Sequence, residues 1–220
     1  MPAGEMAAYG DDRSGEARGE ARGADDVMRR LRTGTAREHR AVEDTLDLLD
    51  PHLDPDRLAH VLALMHGFWR AAEDGLDEWA ARRPEDARSL DWSRRRRAGL
   101  FATDLAALGT RPPGDAPLLA PVAGTAEALG RLYVLEGSTL GGTLIDRHLA
   151  ALPGLTGVRI GAFSPYGPET GSMWAALRRA IRAHVAAGGD VDRIVGSARD
   201  TFRGLGEWCR PAARAREVLA

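Results

Sequence analysis

The chain has 220 residues, a net charge of −2 and one cysteine, Cys209. That length allows one good-sized core. The near-neutral charge removes any global pull toward nucleic acid or an anionic membrane, and a lone cysteine removes an internal disulfide.

Abundant Ala, Leu and Arg with few β-branched residues favour helix. No apolar run approaches the roughly 18 residues that span a bilayer. Residues 1–23 are rich in Gly, Ala and charge and lack an apolar signal core, so they are expected to form a disordered tail. One all-α domain is expected over residues 24–210, with a short tail over 211–220. The cysteine usage and the missing signal core fit the cytoplasm.

A first helix is predicted from Ala24 to Leu49, ended by the turn DPHLDP. Its inward stripe reads Met28, Leu31, Thr35, then His39 or Glu38, then Val42, Leu46 and Leu49, at the three- and four-residue spacing of an amphipathic helix. A second helix starts after Asp54-Pro55 and ends near Arg83-Pro84; a third runs from about Ser89 to Leu108. Residues 109–117, GTRPPGDAP, read as loop. A glycine-bearing helix covers about 118–152. Residues 153–171, rich in Gly and Pro, form a long connection of a kind that is often functional. Helices over 172–187 and 190–208 complete six or seven, with no strand-like alternation anywhere.

Gly137, Gly141 and Gly142 interrupt a stretch, YVLEGSTLGG at 133–142, whose flanks favour continuous helix. Each glycine costs a helix about 1 kcal/mol relative to alanine. The pairs 137/141 and 138/142 pave one strip of helix surface with almost no side chains. Such a strip suits a tightly packed neighbouring helix or a flat ligand on bare backbone. His39, read as inward, can offer one ring nitrogen to a metal. Glu43, one turn on, can bond the other nitrogen and fix the tautomer. A histidine on one helix and bare backbone on another are what a planar macrocycle needs on its two faces, including an axial nitrogen.

Arg32 lies on the same side of the helix as His39 and can reach an acidic ligand edge. Arg178, Arg179 and Arg182 follow the long loop, on a helix that carries Trp174, and Tyr166 sits in the loop itself. The run SRRRR, Ser93 to Arg97, reads as a solvated helix face, and His148 as surface. The remaining histidines show no metal-ligand spacing, and neither HExxH nor Glu-x-x-His occurs. Nucleotide-binding glycine loops and GxSxG are absent.

Three segments together, LRTGTAREHRAVE (31–43), LYVLEGSTLGG (132–142) and YGPETGSMW (166–174), resemble the heme oxygenase family. The likeness spans roughly residues 27–208 and is greatest to the bacterial biliverdin-producing type found with bacteriophytochromes. It implies an all-α, single-domain heme oxygenase-like bundle with heme between a proximal helix and a kinked distal helix. It further implies that His39 is the iron ligand, with Glu43 as the glutamate that follows it. Gly137, Ser138, Gly141 and Gly142 would form the distal, catalytic stretch. Arg32 and Arg178 would contact propionates, with Thr35, Tyr166 and Phe202 completing the heme contacts.

Many members carry an aspartate after the first distal glycine, where this chain has Ser138; the bacteriophytochrome-linked type shares the Gly-Ser pair. The activity implied is cleavage of heme, both substrate and cofactor, by O2 to biliverdin, CO and ferrous iron. Electrons would come from a ferredoxin or a flavoprotein reductase, and a bacteriophytochrome is a candidate acceptor of the biliverdin. The rival reading is a heme carrier or sensor on the same fold that does not degrade heme. A third is a helical relative using the scaffold for thiamin-type or quinone chemistry.

Overall fold

The structure, a computed structural model, describes residues 13–219, with side chains over 27–210. Among these residues there are eight α-helices, three short 3-10 turns and no strand. The all-α expectation holds. The first helix, α1 (Arg13–Leu46), reaches back into the stretch read as a tail; residues 1–12 of that tail lie outside the described residues. Asp47 takes a left-handed φ of 43°, so α1 stops just before the proline turn.

Asp54 caps α2 (Pro55–Arg82), its carboxylate accepting the Arg57 N–H at 2.8 Å, and Pro55 fills the first helical position, where a missing N–H is harmless. This helix carries much of the core through Leu58, Leu62, Phe68, Trp69, Leu76 and Trp79. A short α3 (Pro84–Ser89) follows, then a 3-10 turn over Trp92–Arg95 and α4 (Ala98–Ala107).

The continuous helix expected over 89–108 is therefore broken. Asp91 is left-handed at φ 52°, and Arg96 is extended. The cause lies in Arg95 and Arg97, which are both buried. Two residues apart on a helix, their side chains would diverge by about 200°; the broken chain sends both inward.

Residues 110–124 cross without regular structure to α5 (Thr125–Gly137). The glycine-bearing helix predicted over 118–152 is then divided: a 3-10 turn over Ser138–Gly141 joins α5 to α6 (Gly142–Ala151). The Ser138 and Thr139 hydroxyls each donate to the carbonyl three residues back, at 2.7 Å. Such side-chain competition for backbone carbonyls bends helices. His148 of α6, read as surface, is half-buried, with Nε2 2.9 Å from the Asp50 carbonyl.

The connection after α6 contains a 3-10 turn over Gly167–Glu169 and leads to α7 (Thr170–Ala186) and α8 (Val191–Leu219). Helix α8 is the shared support for α1 and α5. Its close approach to α5 depends on Gly130, where an added Cβ would lie 2.3 Å from the Ile194 carbonyl oxygen.

Candidate functional site

The buried face of α1 reads Val27, Leu31, Thr35, Val42 and Leu46. Between Thr35 and Val42 the stripe passes through Glu38, whose carboxylate meets Arg199 and Arg203 of α8 at 3.9 and 3.6 Å. The alternative left open by the spacing is thus decided for Glu38. His39 falls on the flank, its side chain 52% exposed, which corrects the inward placement. Its ring stands edge-on to Phe202 of α8, centroids 5.3 Å apart. Nδ1 lies 3.3 Å from the Glu43 carboxylate, and Nε2 takes no partner among the described residues. With Nδ1 turned toward a carboxylate, Nε2 is the nitrogen left to face a ligand.

Tyr133 of α5 approaches α1 one turn earlier. The Thr35 hydroxyl donates to the Leu31 carbonyl at 2.8 Å and lies near the Tyr133 phenol. Burial pushes the Tyr133 pKa up, against the nearby Thr35 hydroxyl and the cations Arg32 of α1 and Arg178 of α7. The Tyr133 ring packs on Trp174 of α7 at 5.5 Å. Neither Arg32 nor Arg178 has a carboxylate partner among the described residues. Three helices therefore gather two unpaired guanidiniums and a phenol at one place, an arrangement suited to a carboxylate-bearing ligand. The sequence reading passed over Tyr133, although its position four residues before Gly137 puts it on the same helix face.

Beyond Tyr133, the glycines divide into two kinds. A Cβ at Gly137 or Gly141 would meet nothing within 4 Å. Leu140 and Leu144, both more than half exposed, continue this open surface with apolar side chains. Gly142 belongs elsewhere: a Cβ there would lie 2.1 Å from the Phe163 carbonyl oxygen, so this glycine admits the long connection, a correction to its place beside Gly137 and Gly141. Tyr166 is likewise corrected. It is buried, and its hydroxyl donates to Glu136 at 2.7 Å, leaving it bound to the core.

The basic run is not a solvated face. Arg94 and Arg96 are exposed and pair with Glu169 and Asp77. Arg95 turns in to Glu136 at 2.5 Å and to the Leu90 carbonyl at 2.6 Å. Arg97 stacks over Trp69 and reaches the Ser138 hydroxyl at 2.8 Å. Burial depresses its pKa, yet a guanidinium stays charged. Glu73 accepts the Arg97 and Ala98 N–H groups at 2.6 and 2.8 Å; burial raises its pKa while these bonds oppose the rise.

Two clusters result: His39–Glu43–Phe202, and Arg32–Thr35–Tyr133–Arg178, with the open Gly137/Gly141 face one turn beyond Tyr133. A groove of about 480 Å³ between α1 and α8 is lined by Arg37, Glu38, Val42, Phe202, Gly206 and Arg210, and His39 is not among its walls. No group of three His, Cys, Asp or Glu side chains able to hold a metal occurs among the described residues, and no described helix is long and apolar enough to cross a membrane. The available donors are an unpartnered imidazole nitrogen, a bare apolar helix face and unpaired cations. The cations suit a carboxylate-bearing ligand, and the imidazole nitrogen could hold a metal.

Among curated proteins, the chain is 37% identical over 98 residues to a heme oxygenase of Xanthomonas campestris pv. campestris (strain 8004). That stretch is 44% of this chain and 56% of the relative, so the chain spans about half the length of the curated relative it matches. No protein-family model matches the chain, and no solved structure matches it.

Proposed function

We propose that the chain is a heme oxygenase of the bacterial biliverdin-producing type, cleaving heme to biliverdin, CO and ferrous iron with O2 and external electrons. The observation that carries this reading is the approach of Tyr133 on α5 to Thr35 and Arg32 on α1. It brings together a helix bearing a histidine with an unpartnered Nε2 and a helix whose next turn is bare backbone. The partial match to a heme oxygenase supports the same reading.

Each residue has a defined task. His39 Nε2 would hold the iron, and Glu43 fixes the ring and raises its basicity. Arg32, Arg178 and Tyr133 would anchor the propionate edge. Gly137 and Gly141 leave room for the macrocycle and a small diatomic, and Leu140 and Leu144 supply apolar surface. Phe202 limits the tilt of the imidazole. Heme brings the reactive centre; the protein supplies binding, orientation and proton delivery. Electrons come from a ferredoxin or flavoprotein reductase in the cytoplasm, and a bacteriophytochrome is a fitting recipient of the product.

Hemin titration followed by reductant in air tests the proposal. A Soret shift on mixing, then bleaching with a red-absorbing biliverdin band, is the expected result. A Soret complex that survives reductant points to a heme carrier or sensor. No Soret shift removes heme altogether.

A further inference from the structure

Arg97 belongs to neither ligand cluster, yet it is only 1% exposed and ends at the bend between α5 and α6. Its Nη2 donates to the Leu135 carbonyl and to Ser138 Oγ, the latter at 2.8 Å. Its Nη1 donates to the Ala162 carbonyl at 3.0 Å. The guanidinium lies 4.9 Å above the Trp69 ring, and the Arg97 backbone N–H is held by Glu73. A side chain fixed at so many points has one orientation.

The consequence falls on Ser138. A hydroxyl has one proton to give and two lone pairs. The Ser138 proton goes to the Leu135 carbonyl at 2.7 Å, and one lone pair is taken by Arg97. One lone pair remains, so toward any further partner Ser138 can only accept. Acceptance without donation is the hydrogen-bonding character of a carboxylate.

We propose that Arg97 is a positioning residue that keeps the Ser138 proton on the Leu135 carbonyl, so that toward water at the bend the serine acts only as an acceptor, as a carboxylate would. Without the guanidinium fork, the hydroxyl is free to change rotamer and to donate. This inference rests on the heme reading above and assigns the order of the proton-delivering water to a residue that belongs to neither ligand cluster.

The test is the pH midpoint between the acid and alkaline spectra of the ferric hemin complex, which reports hydrogen bonding beside the heme. An acceptor favours the protonated form, so Ser138→Ala should lower the midpoint by about one pH unit, the worth of one hydrogen bond. Arg97→Lys keeps the charge but loses the fork and should lower it similarly. Combined with Ser138→Ala, it should add nothing, since both remove one interaction. Additive shifts, or an Arg97→Lys midpoint equal to wild type, overturn the inference. If Arg97→Lys does not fold, Ser138→Thr decides: it retains the acceptor and should keep the wild-type midpoint while Ser138→Ala does not, and equal midpoints overturn the inference. A wild-type protein with no Soret complex overturns the heme reading and this inference together, whereas uncoupled midpoints in a normal complex overturn this inference alone.

Discussion

Nδ1 of His39 lies 3.3 Å from the carboxylate of Glu43, one turn later on α1. Both side chains are more than half exposed, so neither supports the core. The pair is therefore separable from folding. His39→Ala should abolish axial ligation, and Glu43→Ala should weaken heme binding by about ten- to a hundredfold, as loss of a ligand-orienting partner does. Unfolding free energy without heme should stay within about 0.5 kcal/mol of wild type. Hemin titration and thermal melts measure the two effects; an unchanged affinity in either variant refutes the assigned role.

The two glycines at the end of the bend should behave oppositely. Gly141→Leu places a side chain in open space, so the ligand-free protein should melt no lower than wild type, while hemin affinity falls at least tenfold. Gly142→Ala pushes a methyl into the Phe163 carbonyl and should destabilise the fold by about 1–3 kcal/mol, the usual range for overpacking. Chemical denaturation with parallel hemin binding separates them. Equal hemin affinity for Gly141→Leu and wild type would place the ligand elsewhere.

The buried ion pair between Arg95 and Glu136 is expected to be the costliest single break in the site's foundation. Tyr166 donates to the same carboxylate, so this one group ties the 3-10 turn at Trp92–Arg95 and the loop before α7 to α5. Removing one partner of a buried pair leaves a desolvated charge and typically costs about 3–5 kcal/mol. Arg95→Met should fall in that range in urea denaturation, and Tyr166→Phe well below it, since the ion pair survives. A small loss for Arg95→Met would mean that Glu136 is satisfied without it.

His66 supplies the pH prediction. It is buried on α2, its Nδ1 has no partner among the described residues, and burial together with nearby Arg70 lowers its pKa. Below the ordinary value of about 6.5 the unfolded chain binds a proton that the folded chain refuses. Its contribution to stability is therefore full above about pH 6.5 and is lost as pH falls from there through the lowered folded value. His66→Gln should flatten that part of the stability profile. Denaturation midpoints at a series of pH values measure the slope, and an unchanged slope assigns the acid sensitivity to other groups.

Composition and periodicity were enough for the fold class, since scarce β-branched residues and three-four spacing leave few alternatives to packed helices. The start of α2 was legible for a local reason: Asp54-Pro55 caps a helix within its own neighbourhood. The pairing of His39 with Glu43 could be read from helix geometry alone, because side chains one turn apart must meet.

What local rules could not reach was the direction of each side chain around the bundle. Spacing allowed either Glu38 or His39 on the inward stripe, and the choice fell to Arg199 and Arg203 on a helix far along the chain. Four consecutive arginines read as solvent-facing because a guanidinium is costly to bury; only the arrival of Glu136, Ser138 and Trp69 beside them makes burial of Arg95 and Arg97 tolerable. Gly141 and Gly142 are adjacent and identical in sequence, yet one faces open space and the other a carbonyl of the folded-back loop. From its own pattern the chain declared an all-helical fold, but not the breaks at Asp91 and Ser138, and the residues able to do chemistry. Tertiary structure alone decided which of them meet, because partners distant in the chain set the energy of every buried charge and every missing side chain.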